Sequence, residues 1–546
     1  MKRTALISVS DRTGLEAFAR GLVGLGFELL TTSGTGGFLK GCGIASLSIE
    51  EYTGQAEIFG GRVKTLHPKI YAGILARRSV PEDLRLLEKD GIRSIEVVAV
   101  NLYPFRDALV RGSSAKELVD HEMIELIDIG GPSMIRAAAK NHDSVVAVID
   151  PADYPDALRM VQGAVSAEAE KGMRRALASK VFATLADDGV AVASYMSGQI
   201  AIGTDAAQPS SVKQAGQEVP AIQTNMPAWN GVVLRQERRL RYGENPHQAA
   251  EFCVPMSSPV RVSDSGNAAW RVHGGKVLSY NNMLDCDAMV RLLQLLESPS
   301  PTAVIIKHLN PCGAARGATA LEALQRAKRS DPRSHFGGII GFTCAVSRDA
   351  AMEIREDFAE VVVAPAYETE ALALLLQNKN LRVLEVNLQK LTSVFEVRSV
   401  LDGFLIQSPD REISGPTSWE RAAVGTGPEK IYDLDLAWRL CSQVKSNAIV
   451  IVKDGTLVGV GAGQMSRVDS VEVALHKAKH HKHDLHGAVA ASDAFFPFPD
   501  GIEMLLAEGI TAVVAPRGAK RDAETVSAAE KHGATLYFAA DRHFRH

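Results

Sequence analysis

The feature that most constrains this fold is a regular exchange, over the first ~150 residues, of short apolar runs with segments of helical spacing. Thr4–Val9 is an apolar run that ends in Ser10-Asp11, and Gly14–Leu25 then carries apolar residues at helical spacing. Phe27–Leu30 predicts a second strand, followed by the small-residue turn Thr32-Ser33-Gly34-Thr35-Gly36-Gly37 and a short helix. Ile95–Val100 predicts a buried strand before the loop Asn101-Leu102-Tyr103-Pro104-Phe105. Ile127-Asp128-Ile129-Gly130-Gly131-Pro132-Ser133 then runs into the helix Met134–Lys140, and Val145–Ile149 closes the series as a strand. Strands alternating with helices predict a parallel α/β sheet covered on both faces. Residues ~151 to 200 read as helices appended to it.

At 546 residues the chain calls for two to four domains, about 100–200 residues each. Thr204–Asn230 is rich in Ala, Gln, Ser and Pro with weak periodicity, which marks a boundary. The expected organisation is a first domain over 1–203, with its sheet core in 1–150, a linker over 204–231, and a second α/β domain over 232–546. The second is long enough for two subdomains. A formal net charge of -4 gives no reason to expect nucleic acid, and no run approaches the length of a membrane helix. Six scattered cysteines without a C-x-x-C pair suit reduced thiols and a cytoplasmic address.

Two turns of the first domain suit a phosphate. Ser10-Asp11-Arg12-Thr13-Gly14 and Thr32–Gly37 each join a strand to a helix start, where backbone N–H groups and hydroxyls favour an anion. Ordinary capping explains either turn alone, but two at the same strand ends of one sheet point to a ligand. Arg62-Val63-Lys64-Thr65-Leu66-His67-Pro68 gathers cations, a hydroxyl and an imidazole, against a plain reading as surface charge. Asp128 before a helix and Lys140 at its end also suit the helix dipole.

In order, the runs SVSDRTGL, RVKTLHP, NLYPF, IDIGG and AAAKNH resemble the signature segments of inosine monophosphate (IMP) cyclohydrolase, the N-terminal half of a bifunctional purine enzyme family. The resemblance implies a Rossmann-like domain of the methylglyoxal-synthase type. It implies catalytic roles for Lys64, Tyr103, Asp128 and Lys140, and ribotide binding by Ser10, Ser33, Gly34, Thr35, Arg62 and Thr65. The family usually has Ser-Gly-Gly-Thr in the second phosphate turn, where this chain reads Thr32-Ser33-Gly34-Thr35. If that glycine needs a positive φ, Ser33 strains the turn and weakens phosphate binding.

In the second domain a β-run ends in Lys307-His308 and the turn Leu309-Asn310-Pro311-Cys312-Gly313, a placement typical of α/β sites. A zinc deaminase needs His-x-Glu and Pro-Cys-x-x-Cys; here position 310 is Asn and position 315 is Ala, so the metal set is incomplete and no zinc is expected. The segment His476…His480-His481-Lys482-His483…His486 lacks the carboxylate pattern of a metal helix, and flanking lysines make it a solvated basic face.

The segments RYGENPHQ, LSYNN, KHLNPCG, Lys445-Ser446-Asn447, Gly461–Arg467, Ala491–Phe498 and Asp541–His546 resemble the formyltransferase half of the same family. That resemblance implies a doubled cytidine-deaminase-like fold without zinc, with 10-formyltetrahydrofolate as co-substrate and no metal required. It makes Lys307 and His308 the catalytic pair, with Asn447 beside the formyl group. Arg241, Tyr242, Arg467 and Arg542 are expected at the ribotide. Asp493, Phe495 and Phe496 are expected at an apolar folate slot, with core packing the alternative for the two rings. Arg517–Lys520 departs from the family's Gly- and Ser-rich turn.

The implied function is the last two steps of purine synthesis: formyl transfer to the amine of aminoimidazole carboxamide ribotide, then dehydrative closure to IMP. The implied partners are small-molecule substrates and a second copy, in a homodimer with shared formyltransferase sites. Two alternatives remain: an inactive nucleotide-binding regulator on the same folds, and a hydrolytic deaminase. Retained catalytic residue types speak against the first and the incomplete metal set against the second.

Overall fold

The computed structural model describes residues 3–105, 108, 120–199, 211–214, 217–220, 231–256, 269–390 and 396–546. The chain forms two compact units, one of Met1–Val212, Pro220–Arg235 and Val254–Ser258, the other of Lys213–Val219, Gln236–Cys253 and Pro259–His546. The linker expected over 204–231 lies largely outside the described residues. Among the described residues no helix is long and apolar enough to cross a membrane.

Unit 1 is built on β1 (Thr4–Ser8), β2 (Glu28–Thr31), β3 (Leu47–Ser48), β4 (Ile95–Val100) and β5 (Val146–Val148). They form one parallel sheet in the order β3-β2-β1-β4-β5. Near-continuous apolar strands are what a sheet buried on both faces requires. One face packs on Leu15, Phe18, Leu22, Leu39 and Tyr154. The other packs on Ile70, Ile74, Met134, Ile135 and Val181. The strand order reverses between β1 and β4, so their carboxyl ends open a switch-point crevice. The long helix Ala167–Gln199 belongs to the same unit.

Unit 2 holds a 12-stranded sheet. Its strands are β6 (Trp270–Gly274), β7 (Thr302–Lys307), β8 (Asn310–Arg316), β9 (Ile339–Phe342), β10 (Val361–Ala364) and β11 (Arg382–Val386). The others are β12 (Glu420–Ala423), β13 (Ile449–Lys453), β14 (Thr456–Gly461), β15 (Val489–Ser492), β16 (Ala512–Pro516) and β17 (Thr535–Ala539). Their order is β6-β11-β10-β9-β7-β8-β14-β13-β15-β16-β17-β12.

Each half of this sheet repeats one plan: a helix, an antiparallel hairpin, then three mutually parallel strands. Helix Tyr280–Leu295 precedes hairpin β7–β8, and helix Ile431–Cys441 precedes hairpin β13–β14. The strands β9-β10-β11 and β15-β16-β17 follow. The halves meet at Ala315 and Thr456, on β8 and β14. Both helices bury their apolar sides in one shared core with Leu292, Leu293, Trp438 and Leu440 at its centre, while each half keeps its own core on the opposite face.

Two local expectations change. The glycine-rich run after Thr32 is not an extended turn; it enters helix Ser33–Gly41 at once. Asn310-Pro311-Cys312-Gly313 is not a loop but opens β8, because the reversal is completed by His308 and Leu309 alone. Pro311 is tolerated there beside a register shift between Ile305 and Ile306.

Candidate functional site

In unit 1 the switch-point crevice is organised by Asn101, at the end of β4. Its amide oxygen accepts from Ser10 N–H at 2.6 Å, Ser10 Oγ at 3.0 Å and Asp11 N–H at 3.1 Å. Its amide nitrogen donates to the Asp11 carbonyl at 2.8 Å. The Leu102 carbonyl, 2.7 Å from Ser10 Oγ, is the other acceptor within reach of that hydroxyl's single proton, and Asn101 fastens the Ser10–Gly14 turn to β4.

The second turn is the N-terminus of helix Ser33–Gly41, whose first N–H groups have no capping side chain. Ser33 is the first helical residue and carries no positive φ, so the strain expected from replacing a family glycine does not arise. Gly34 has open space where a Cβ would stand. Thr35 is buried, and its hydroxyl accepts from Val9 N–H at 3.1 Å, which leaves it a structural anchor rather than a ligand-facing hydroxyl. What Thr35 offers an anion is its backbone N–H.

The third wall is the start of helix Gly130–Lys140. Asp128 accepts from Gly131 N–H at 3.1 Å. A Cβ at Gly130 would run into Thr65 Oγ1, and one at Gly131 into the Asp128 carboxylate. The Gly-Gly pair is thus what lets Thr65 and Asp128 close on the helix start. Burial pushes the Asp128 carboxyl up, against the opposing pull of the Gly131 and Gly130 N–H groups and the Lys64 ammonium. A carboxyl raised in this way is a better general base.

Tyr103 is exposed beyond β4. Arg62 is ion-paired with Glu125, each stabilising the charged form of the other, so its guanidinium is already engaged. Lys140 lies at the far end of the 11-residue helix, about 15 Å along it from the Asp128 end, where it complements the helix dipole. The structure gathers Ser10, Ser33, Gly34 and Thr35 at the ends of β1 and β2, and Thr65, Lys64 and Asp128 at the helix start. Lys140 stands at the opposite end of that helix.

In unit 2, β7 ends in Lys307, whose Nζ donates to the Phe336 carbonyl at 2.9 Å. His308 follows at φ 53° and Leu309 at φ 67°. A left-handed conformation costs a non-glycine residue about 1–2 kcal/mol, and such positions cluster at functional sites. Lys307, His308 and Asn310 line a cavity of about 340 Å³ whose far wall is Asp331, Lys477 and His481. Two of the segment's five histidines, His481 and His483, are therefore drawn inward, contrary to a wholly solvated face. His481 and Lys477 each reach Asp331 at 3.1 Å, and His483 meets the Ser330 carbonyl at 2.9 Å. His476, His480 and Lys482 stay exposed.

Asn447 is linked to this cavity through Gln464, which lines it. Its amide donates to the carbonyls of Gln464 at 3.0 Å and Met465 at 3.3 Å, and its oxygen accepts from Arg467 at 2.8 Å. Arg467 and Asp493 form a buried ion pair, and Arg467 also donates to Ser492 Oγ at 2.8 Å. Both are buried, and together they brace Asn447. Phe496 is packed in the core at 2% exposure, so the packing alternative holds for it, whereas Phe495 is half-buried beside Gly518.

Arg241 is exposed and stacks on Tyr242 at 5.5 Å. Arg542 is exposed over Phe544 at 4.7 Å. The tail that carries Arg542 is tied to the site: His543 N–H donates to the Asp493 carbonyl at 3.1 Å, and Arg545 N–H to Ser446 Oγ at 3.1 Å. Sequence reasoning missed Asn101, Asn310 and Asp285, whose bonds join segments far apart in the chain; no local pattern announces them.

A phosphate-ready α/β unit and a second α/β unit with a lysine-histidine strand end define a two-part enzyme of small anionic substrates. Residues 138–477 match the AICARFT/IMPCHase bienzyme family and residues 14–133 the MGS-like domain family. Two "Bifunctional purine biosynthesis protein PurH" sequences from Desulfitobacterium hafniense, strains DSM 10664 / DCB-2 and Y51, are each 42% identical over 553 residues, covering 100% of both chains. The solved structure of ForH is 34% identical over 33% of this chain and 91% of its own, with a TM-score of 0.27. The chain belongs to the AICARFT/IMPCHase bienzyme family: one polypeptide with formyltransferase and IMP cyclohydrolase activities.

Proposed function

We propose that the two activities divide between the two units, with formyl transfer at Lys307 and His308 in unit 2 and ring closure around Asp128 in unit 1. Together they are the last two steps of purine biosynthesis. The observation that carries the division is the His308 turn, which sets an imidazole and a lysine at one cavity.

The amine of aminoimidazole carboxamide ribotide is conjugated with its ring and is a weak nucleophile. His308 removes its proton as it attacks the formyl carbon of 10-formyltetrahydrofolate, and the resulting imidazolium returns that proton to N10, which leaves as the neutral amine of tetrahydrofolate when the C–N10 bond breaks. Lys307, fixed by the Phe336 carbonyl, faces the oxyanion that develops. Asn447 is a positioning residue in this reading, since its amide is held on both sides.

In unit 1 the carboxamide nitrogen attacks the formamide carbon and water is lost. Asp128 accepts the nucleophile's proton, while Lys64 and Tyr103 supply charge and a proton to the departing oxygen. The helix start at Ser33 and the turn at Ser10 hold the ribotide phosphate, which fixes one rotamer for an intramolecular closure.

The repeated plan of the unit 2 sheet supports a doubled cytidine-deaminase-like fold, and family resemblance supports a homodimer with shared formyltransferase sites. Scattered free cysteines support a cytoplasmic setting. Incubating the protein with the ribotide and 10-formyltetrahydrofolate yields IMP on this reading. Accumulation of the formamido intermediate would refute the cyclohydrolase half, and no formylated product would refute the transferase half.

A further inference from the structure

The hairpin β7–β8 reverses in two residues, His308 and Leu309, with φ of 53° and 67°. Two consecutive left-handed residues make a type I′ turn, whose favoured sequences are Asn-Gly and Asp-Gly. The matching hairpin β13–β14 obeys that preference: its turn is Asp454-Gly455, with φ of 48° and 71°. There Asp433, on the preceding helix Ile431–Cys441, accepts from Asp454 N–H at 2.9 Å and Gly455 N–H at 2.7 Å.

The first half carries the same device. Asp285, on the preceding helix Tyr280–Leu295, accepts from Leu309 N–H at 2.7 Å. What differs is the turn sequence: in place of Asp-Gly stand an imidazole, which tolerates positive φ less well than glycine, and a branched apolar side chain, which resists it strongly. An unfavourable turn sequence where the matching half keeps the favourable one implies that the His308 side chain is needed there. Asn310 fixes the other flank, donating to the His308 carbonyl at 3.0 Å and accepting from Lys445 N–H at 3.0 Å.

We propose that Asp285 is a positioning residue for formyl transfer: by holding the Leu309 N–H, its carboxylate keeps His308 in the left-handed turn that presents the imidazole to the cavity. The proposal rests on His308 as the base. It makes an aspartate outside the reacting atoms necessary to rate, through backbone geometry rather than through substrate contact.

The test is steady-state formyl transfer by the full chain in four variants, with conversion of the formamido intermediate to IMP as an internal control. Asp285→Ala lowers kcat on the order of 10- to 100-fold with little change in either KM, because the base is misplaced rather than the substrates released. Asp285→Asn keeps an acceptor oxygen and stays within about 3-fold of the parent. Adding Leu309→Gly to Asp285→Ala recovers most of the loss, since glycine enters the turn without a clamp.

Asp285→Ala with parental kcat overturns the proposal, and so does a loss that Leu309→Gly leaves untouched. If Asp285→Ala does not fold, the variant that adds Leu309→Gly carries the test: recovery of folding with near-parental kcat upholds the proposal, and failure to recover folding or a large kcat loss overturns it. His308→Ala is the fourth variant. If it still transfers formyl, the base assignment falls and the proposal with it; if it is inactive while Asp285→Ala is active, only the proposal falls.

Discussion

Arg467 and Asp493 form an ion pair that solvent does not reach, with 7% and 0% of the two residues exposed. Asp493 also accepts from Ser446 Oγ, and Arg467 turns its second nitrogen to Asn447. Removing one partner strands a buried charge, which costs about 3–5 kcal/mol. Asp493→Ala therefore lowers unfolding stability by that order in denaturant titration, and formyl transfer falls with it. Arg467→Lys does not rescue transfer, because an ammonium cannot reach Asp493, Ser492 and Asn447 with one planar fork. Parental activity in Arg467→Lys would show that Asn447 needs no brace.

The Gly130-Gly131 pair gives a prediction confined to unit 1. Gly131→Ala pushes the Asp128 carboxylate away from the helix start, so conversion of the formamido intermediate to IMP drops by on the order of 10²-fold. Formyl transfer, assayed separately, is unchanged. Undiminished cyclisation would remove Asp128 from the reaction.

His543 ties the C-terminal tail down between two carboxylates, at 2.7 Å from Asp410 and 3.0 Å from Asp541. Burial alone would lower its pKa from 6.5, but the two carboxylates more than offset this and the net shift is upward. A raised folded-state pKa contributes stability that is full below about 6.5 and is lost as pH rises through the folded value. The melting temperature of the parent therefore loses ground to His543→Gln as pH rises above neutrality. Parallel melting curves across that range would contradict it.

Asp331 has the opposite sign. Burial pushes its carboxyl up, but the Ser334 hydroxyl and N–H and the Lys477 ammonium outweigh this and bring it to about 2. The stability it contributes is present above its unfolded value of 3.8 and is lost as pH falls toward 2. Urea titrations at pH 6 and pH 3 test this: the deficit of Asp331→Asn is larger at pH 6. An equal deficit at both would assign its role to shape alone.

Much of unit 1 was legible in sequence because its strands are continuous apolar runs. Ile95–Val100 stands where periodicity placed it, and Thr4–Ser8 falls one residue short of its expected end. The run Ser33-Gly34-Thr35-Gly36-Gly37 misled because glycine is a poor helix former, and here a buried Thr35 bonded to Val9 holds the helix start in place. The hairpin turn was hidden for a related reason: His308-Leu309 has none of the composition of a type I′ turn, whereas Asp454-Gly455 does.

Site residues divided along the same line. Lys307 and His308 were legible as a polar end to an apolar strand. Arg467 and Asp493, expected at the ribotide and at the folate slot, neutralise each other in the interior, a pairing across 26 positions that only the fold reveals. Asn101 and Asp285 act through bonds to residues 90 and 24 positions away, a relation that no local window contains.

The most direct test of the two-unit division is His308→Ala, assayed with the ribotide plus 10-formyltetrahydrofolate and, separately, with the formamido intermediate. The division predicts no formylated product in the first assay and parental IMP formation in the second. Equal loss of both activities, or transfer that survives the substitution, would contradict it.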